Sequence, residues 1–157
     1  MITITAMQRA HLNEVAELEV ANEQVQFVGT INEILLNIDE NVHPHVILWN
    51  NQVIGFFLID TTYGDHYDFA KTYSLGLRGY FISHPFQGKG YGKKAISLLA
   101  PYLQRYYSSY SHIYLTVNAK NPAARHCYLN GGFRDTNDLY LGGTAGPQHI
   151  MVLKLHK

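Results

Sequence analysis

Apolar and polar residues follow one another along the chain with two different periods, one typical of helices and the other of strands. Apolar residues three and four positions apart predict four helices, the third of which contains Pro101 and should be kinked there. These helices cover residues 8–20, 31–38, 90–107 and 121–130. Runs rich in β-branched and aromatic residues predict strands. The strands cover residues 45–49, 52–62, 73–83, 112–117, 138–141 and 149–155.

Cap and turn residues support these boundaries. Asn50-Asn51 lies between the first two strands and predicts a hairpin. Thr30 and Glu33 have the spacing of a capping box, and Asn121 precedes a proline as an N-cap should. The order α, α, β, β, β, α, β, α, β, β mixes helices with hairpins. It predicts an α/β or α+β fold with a mostly antiparallel sheet.

Length and composition limit the class of protein. The chain has 157 residues, 46% hydrophobic and 15% charged, and shows no linker or repeat, so we expect a single globular domain over residues 1–157. The longest apolar run, Val53 to Ile59, is far shorter than the ~20 residues that cross a membrane. No signal-peptide pattern opens the chain. We therefore expect a cytoplasmic protein without a membrane partner.

Cysteine and histidine offer little support for covalent or metal chemistry. The single cysteine, Cys127, excludes an intramolecular disulfide and a cysteine-rich zinc site. It could carry an acetyl-cysteine intermediate, but a buried thiol is the favoured interpretation. His43 and His45 are the only close histidine pair, and no cluster of carboxylates in the sequence completes a metal site with them. No metal is therefore expected.

The net charge is zero, but the two halves of the chain carry opposite charges. Residues 1–70 hold ten acids and one base, and residues 71–157 hold eleven bases and two acids. Either the halves bind ligands of opposite sign, an anion on the second and a cation near the first, or they attract each other within one fold. The bases are dispersed, so no nucleic-acid partner is expected.

A glycine-rich loop, Gln87 to Lys94, lies between a predicted strand and a predicted helix. Glycines at 88, 90 and 92 let the backbone approach a ligand closely and take positive φ. The free N–H groups at a helix start, together with nearby lysines, favour an anion such as a phosphate or diphosphate. The loop fits neither the P-loop nor the dinucleotide-binding motif. A tight turn without a ligand is the alternative.

Two motifs together resemble a known family. The segment Gln87 to Gly92 matches the Gln/Arg-x-x-Gly-x-Gly/Ala signature of the GNAT N-acetyltransferase superfamily. Further on, Asn121 to Tyr128 followed by Gly131-Gly132-Phe133 resembles the family's Asn-x-x-Ala-x-x-x-Tyr…Gly-Phe element. The first 70 residues resemble small polyamine-type members only loosely. The resemblance implies the GNAT fold, a mixed, mostly antiparallel central sheet flanked by helices.

The resemblance also implies acetyl-CoA as co-substrate and assigns residues to it. The backbone of Phe81, Ile82 and Ser83 would hydrogen-bond the pantetheine arm, with the Ile82 N–H polarising the thioester carbonyl. Asn121 would contact the pantetheine, and Arg125 would reach the phosphates. The diphosphate would lie on the loop residues Gln87, Gly88, Lys89, Gly90, Tyr91, Gly92 and Lys93.

By the same resemblance, Tyr128 would protonate the leaving thiolate. Direct attack of an amine on a thioester passes through an oxyanion, and a backbone donor aimed at that oxygen is worth ~10²–10³ in rate. A thiolate also leaves more readily when a nearby acid such as a phenol protonates it. Tyr128 is one of twelve tyrosines, so a packing role is the alternative.

The acceptor is less well defined. An amine must lose a proton before it attacks, and many family members use an acid on the strand before the loop, where this chain has Arg78. The bases considered instead are His84, Asp60 and Glu23. The acid-rich first half favours a polyamine-like acceptor, whereas Arg78 would suit an amino-acid-like one. The residues expected to contact the acceptor are Phe27, Asp60, Arg78 and Tyr80, with Tyr63 and Tyr67 as further aromatic walls.

The sequence therefore predicts an acetyl-CoA-dependent N-acetyltransferase acting on a small primary amine, with a polyamine-like acceptor favoured. The alternatives are a CoA-binding sensor with little turnover, an acetyltransferase of amino-acid or peptide N-termini, and a glycine-loop protein for another phosphate ligand. Exposed final strands are compatible with a homodimer.

Overall fold

A computed structural model describes residues 1–156 as one seven-stranded sheet flanked by helices. The strands are β1 (Ile2–Ala6), β2 (Val42–Trp49), β3 (Gln52–Asp60), β4 (Ser74–Ile82), β5 (His112–Asn118), β6 (Arg134–Tyr140) and β7 (Gln148–Lys154). The helices are α1 (Leu12–Ala16), α2 (Asn22–Val28), α3 (Ile31–Leu35), α4 (Tyr63–His66), α5 (Tyr91–Ser97), α6 (Leu99–Tyr106) and α7 (Pro122–Asn130). Short 3₁₀ turns lie at Arg9–His11 and His84–Phe86.

The strands are arranged in the order β1-β2-β3-β4-β5-β7-β6. Every neighbouring pair is antiparallel except β4 and β5, which run parallel. A parallel pair needs a crossover, and α5 and α6 provide it. The predicted mixed, mostly antiparallel sheet flanked by helices is confirmed.

Both faces of the central strands are buried. Along β3, Phe57 and Ile59 pack into one apolar cluster while Phe56 and Leu58 pack into another. The first cluster includes residues of α5 and α6, and the second includes residues of α1 and α3. A strand covered on both faces needs a continuous apolar run rather than an alternating one, which is why residues 53–59 are apolar throughout apart from one glycine.

A β-bulge interrupts β4 beside its partner β3. Leu58 is paired with Arg78 and Phe56 with Phe81, so Gly79 and Tyr80 together oppose the single residue between. Gly79 has φ +60, the left-handed conformation that a glycine bulge uses. The extra residue resets the alternation of side chains, so that Leu77 and Ile82 face the same apolar cluster.

The bulge lies where β4 and β5 part. The two strands pair only over Ser74–Gly76 and His112–Tyr114. Beyond these residues no ladder joins them, and a gap opens between Tyr80–Ile82 and Thr116–Asn118. Backbone groups on the two sides of this gap are left without a strand partner, which is where a ligand can be bound.

Several predicted elements differ from the structure. The helix predicted over residues 8–20 is wrong in extent: the structure has a 3₁₀ turn and then α1, which ends at Ala16. Helix hydrogen bonding stops because the Glu19 N–H bonds the Ser83 hydroxyl and the Glu19 carbonyl accepts the His84 N–H. β1, α2 and α4 were not predicted. The helix predicted over residues 31–38 ends at residue 35, and β6 begins four residues earlier than predicted.

Other predictions are confirmed. The Thr30–Glu33 capping box is present in both directions. The helix predicted over residues 90–107 is divided into α5 and α6 at Leu98. This break follows from Pro101, which cannot donate to the Ser97 carbonyl four residues earlier. Among the described residues, no helix is long and apolar enough to cross a membrane.

Candidate active site

Two adjoining cavities open around the gap between β4 and β5. The larger, of about 760 Å³, lies among the ends of these strands, the glycine loop and α7. The smaller, of about 230 Å³, extends towards α3 and α4. Some residues line both cavities and therefore mark where they meet, which we call the junction. The junction residues are Phe27, Val28, Tyr80, Thr116, Tyr128 and Gln148.

The glycine loop forms one wall of the larger cavity. Gly88 and Gly90 take φ of +76 and +82, and a side chain at either position would meet no atom within 4 Å. These glycines are therefore needed for the path of the backbone and not for close packing. The first helical bond runs from the Lys94 N–H to the Gly90 carbonyl, so the N–H groups of residues 91–93 have no partner within the helix. The Lys93 side chain also lines this cavity.

Gln87 holds the loop against the end of β4. Its side-chain amide donates to the Ile82 carbonyl at 2.9 Å and to the Gln24 side chain at 3.2 Å. Tyr80 makes a second attachment, because its hydroxyl donates to the Gly92 carbonyl. The positions of the loop and of α5 relative to β4 are thus fixed by two side chains.

The backbone of Ile82 faces the gap. The next residue, Ser83, donates its N–H to the Ile54 carbonyl of β3 at 2.7 Å. Because successive residues of a strand direct their N–H groups to opposite sides, the Ile82 N–H points away from β3 and towards the gap. This is the geometry needed to bind a carbonyl oxygen there.

Two phenols lie together at the junction. The rings of Tyr80 and Tyr128 are 5.9 Å apart in an edge-to-face arrangement. The Tyr80 hydroxyl donates to the Gly92 carbonyl, whereas the Tyr128 hydroxyl makes no hydrogen bond to another residue in the described part of the chain. Burial raises the pKa of Tyr128 well above that of a free phenol, with the neighbouring Cys127 adding to the shift. Tyr128 therefore keeps its proton at neutral pH and has it available to donate.

α7 carries the other predicted residues of this region. Asn121 caps it by accepting the Ala124 N–H and also lines the larger cavity. Cys127 lines it too, but burial raises the pKa of this thiol, which makes it a poor nucleophile. Arg125 does not line either cavity, and its contact with the phosphates stays a prediction. Its guanidinium instead donates twice to one oxygen of Asp135, at 3.1 and 2.7 Å, because this side of α7 faces β6.

The smaller cavity is lined by polar and aromatic side chains. Arg78 extends into it and donates to Asp60 at 3.2 Å and to Asn37 at 3.3 Å. Tyr63 and Tyr67 form an aromatic wall, with ring centroids 4.5 Å apart. Gly76 lies directly beneath Tyr63, and a Cβ there would overlap the ring.

Some predicted site residues lie outside both cavities. Lys89 is exposed, and Ser83 is buried with its hydroxyl bonded to the Glu19 N–H. Asp60 is also buried and contacts Arg78 and Thr62 rather than the cavity. None of the three bases considered, His84, Asp60 and Glu23, lines either cavity.

The other predicted residues line at least one cavity. Those in the larger cavity are Phe81, Ile82, Gln87, Gly88, Gly90, Tyr91, Gly92, Lys93, Asn121 and Tyr128. Phe27 and Tyr80 line both cavities, and Arg78 lines the smaller one. Thr116, Gln148 and Asn37 were missed by the sequence analysis. A threonine within the apolar strand β5 was the only available signal, since Gln148 and Asn37 are unremarkable in the sequence.

The fold and site together define an acyltransferase of known type. The chain matches the model of the acetyltransferase (GNAT) family over residues 8–133, and it belongs to that family. The protein is accordingly an N-acetyltransferase, and relatives with this activity extend over nearly its whole length.

Two relatives come from Bacillus subtilis. The uncharacterised N-acetyltransferase YbbJ is 29% identical over 154 residues, which cover 96% of this chain and 95% of the relative. Spermine/spermidine N(1)-acetyltransferase is 24% identical over 156 residues, 98% of this chain and 99% of the relative. Among solved structures, AAC(6')-Ib in complex with paromomycin and acetyl-CoA has a TM-score of 0.76 at 20% identity, covering 98% of this chain and 93% of that one. At this identity the structural likeness shows the fold.

Proposed function

We propose that the protein transfers the acetyl group of acetyl-CoA to the primary amine of a small molecule, by direct attack of the amine on the thioester. The observation that carries this proposal is the arrangement at the junction, where the two cavities meet. The Ile82 N–H points into the gap there, and the Tyr128 hydroxyl lies beside the gap without a hydrogen-bond partner among the described residues. One cavity would hold each substrate.

The residues of the larger cavity fit acetyl-CoA, which supplies an acetyl group already activated as a thioester. The N–H groups of residues 91–93 and the Lys93 side chain suit its diphosphate. The open backbone of Gly88 and Gly90 leaves room for the phosphates to approach closely. The unpaired end of β4 and the side chain of Asn121 suit the amide groups of the pantetheine arm.

Two groups of the chain would act on the reacting atoms. The Ile82 N–H would donate to the thioester carbonyl oxygen as negative charge develops on it. The Tyr128 hydroxyl would give its proton to the sulfur as the thiolate leaves. No carboxylate among the described residues lines either cavity, but His126 lines the larger one, so the amine would lose its proton to water or to His126.

The polyamine-like acceptor favoured by the sequence stays a prediction. Its support is the spermine/spermidine acetyltransferase among the relatives. Among the described residues, the lining of the smaller cavity includes Arg78 and no carboxylate, which does not favour a polyamine.

The test is Tyr128→Phe, which removes the hydroxyl and keeps the ring. We expect kcat to fall by at least about 100-fold, the usual contribution of a general acid, while the Kd of acetyl-CoA changes little. Tyr106→Phe is the matched control, because that tyrosine is exposed on α6, away from both cavities. Both variants would be compared by CoA release and by titration with acetyl-CoA.

Two results would contradict the proposal in different ways. An unchanged kcat in Tyr128→Phe would remove the assigned acid. Tight binding of acetyl-CoA without acetylation of any amine in a broad panel would instead favour the CoA-binding sensor.

A further inference from the structure

We propose that the acceptor is an amine that also carries a carboxylate, as an amino acid does, and that Arg78 binds this carboxylate in the smaller cavity. This inference rests on the proposed function and names the substrate class of the same site. It differs from the polyamine-like acceptor that the relatives suggest.

The charges that line the two cavities have one sign. Among the described residues that line them, Arg78 and Lys93 carry a positive charge and none is an aspartate or glutamate. Lys93 belongs to the larger cavity, next to the glycine loop, and Arg78 to the smaller one. A polyamine bound in the smaller cavity would bring further ammonium groups next to Arg78 without a carboxylate to receive them. An acceptor with its own carboxylate would instead be attracted there.

Arg78 is held in place and still has donors to spare. A guanidinium has five N–H donors, and two contacts, to Asp60 and Asn37, use one each. The Arg78 side chain is 37% exposed, whereas that of Asp60 is only 3% exposed. Arg78 thus lines the smaller cavity with three of its five N–H donors uncommitted, and the buried Asp60 holds it in place. A planar group of this kind binds a carboxylate with two parallel hydrogen bonds.

Asp60 is buried behind Arg78 and lines neither cavity. Its Oδ1 accepts both the N–H and the hydroxyl of Thr62 at 2.9 Å, and its Oδ2 accepts from Arg78. Asp60 is therefore a positioning residue for Arg78, and its burial keeps it from contacting the acceptor.

The acids of the first half of the chain also have structural partners. Glu14 accepts the Val53 N–H, Glu33 caps α3, and Asp39 accepts the N–H groups of residues 41 and 42. None of the ten acids of residues 1–70 lines either cavity, so their excess does not create an acidic wall around the smaller cavity. These partners all lie within the first half, and among the described residues one ion pair, Arg78–Asp60, joins an acid of the first half to a base of the second.

The aromatic wall is the strongest argument for a cationic acceptor. The faces of Tyr63 and Tyr67 can attract an ammonium group, a contact worth ~0.5–2 kcal/mol. The adjacent guanidinium of Arg78 cannot accept a hydrogen bond from an ammonium group, and its ion pair with Asp60 leaves no net negative charge there to attract one. An acceptor with one amine and one carboxylate fits both the aromatic wall and Arg78. Its amine would lie towards the junction, and its carboxylate would bind Arg78.

The test uses sets of acceptors that differ in one group. Phenylalanine, its carboxamide and 2-phenylethylamine form one set, and alanine, alaninamide and ethylamine form another, with spermidine as the polyamine. Values of kcat/KM would be compared per neutral amine, since these amines have different pKa values. We expect the carboxylate member to be preferred by about 10- to 100-fold, as one charged hydrogen-bonded contact provides.

Variants of Arg78 test whether this residue causes the preference for carboxylate acceptors. In Arg78→Gln, we expect the ratio of kcat/KM between carboxylate and carboxamide acceptors to approach one, mainly through KM of the carboxylate acceptor. The single change leaves Asp60 buried without its partner, so the double variant Asp60→Asn, Arg78→Gln is measured beside it. Arg134→Gln, an exposed arginine on β6 away from both cavities, is the control and should keep the wild-type ratio.

The outcomes separate this inference from the proposed function. Preference for spermidine or for the carboxamides, or an unchanged ratio in both Arg78 variants, would overturn the inference while acetylation itself stands. Failure to release CoA with every amine would overturn the proposed function. An unfolded single variant leaves the decision to the double variant and to the wild-type preference.

Discussion

His45 is the most deeply buried ionisable side chain of β2, with no exposed surface. Its Nδ1 bonds the His43 carbonyl and its Nε2 bonds the Tyr102 hydroxyl of α6. Because a carbonyl can only accept, Nδ1 carries the proton and Nε2 accepts from the phenol. The ring also stacks on Phe57 with centroids 4.9 Å apart. The neutral imidazole is thus the form that this site accommodates.

The burial of His45 affects the stability of the protein in acid. Burial lowers the pKa of His45 to about 4, against about 6.5 in the unfolded chain. The unfolded state therefore takes up the proton first as pH falls. The contribution of His45 is complete above about pH 6.5 and is lost towards pH 4, for a total of about 3 kcal/mol. We expect the free energy of unfolding in urea to fall over this window, and to fall less in His45→Gln.

The exposed His66 provides the control for this measurement. His66→Gln should show the same fall as the wild type, because His66 is at the surface of α4. Parallel pH profiles for His45→Gln and the wild type would contradict the role given to His45.

Single residues of the site were predictable where a motif fixes them. Tyr128 and the glycine loop border the larger cavity, as their motifs implied. Arg78 and Asp60 were both predicted at the acceptor, but only Arg78 lines the cavity, because Asp60 is buried behind it. Asn37 and Gln148 could not be predicted. They reach the cavities through long-range packing that leaves no pattern in the sequence.

At the scale of elements, the bulge in β4 is the feature with the clearest consequence. We predict that Gly79→Ala destabilises the fold by about 1–2 kcal/mol, because alanine is strained at φ +60 and its Cβ would lie 3.0 Å from Ile34. We also expect weaker binding of acetyl-CoA, since the bulge directs the end of β4 into the gap. Thermal unfolding and acetyl-CoA titration measure the two effects.

Gly132→Ala is the control that separates the effect of backbone strain from the effect of the bulge on the binding site. Gly132 also has positive φ, +114, but lies after α7 and lines neither cavity. The Gly132→Ala variant should be less stable than the wild type and should bind acetyl-CoA with the same affinity. Equal affinities in the two variants would show that the bulge does not shape the binding site.

Elements were predicted well where local signals are strong. Caps and a proline defined α3, α7 and the break between α5 and α6. β1 was missed although Ile2 and Ile4 alternate with threonines, because five residues give a short signal. α2 buries no residue completely and has no side-chain cap, so neither periodicity nor capping indicates it. Its place is set by tertiary packing beside β4.

For the molecule as a whole, ligand binding should add to stability. A ligand that binds the folded state at 100 times its Kd stabilises it by about 2.7 kcal/mol, which corresponds to a rise in Tm of roughly 5–10 °C for a chain of this length. We expect this rise with acetyl-CoA and with CoA, measured by thermal unfolding. ATP has phosphates but no pantetheine arm and should give less. A rise with ATP alone would contradict the assignment of the larger cavity.

The two cavities meet at the junction residues, so each can hold its own molecule. If each cavity holds one substrate, as proposed above, neither substrate has to depart before the other arrives. Initial-rate plots at several fixed concentrations of the second substrate should give intersecting lines, as they do when both reactants occupy an enzyme together. An excess of the acetyl donor would then leave the amine's cavity unobstructed, so turnover could follow the supply of acceptor.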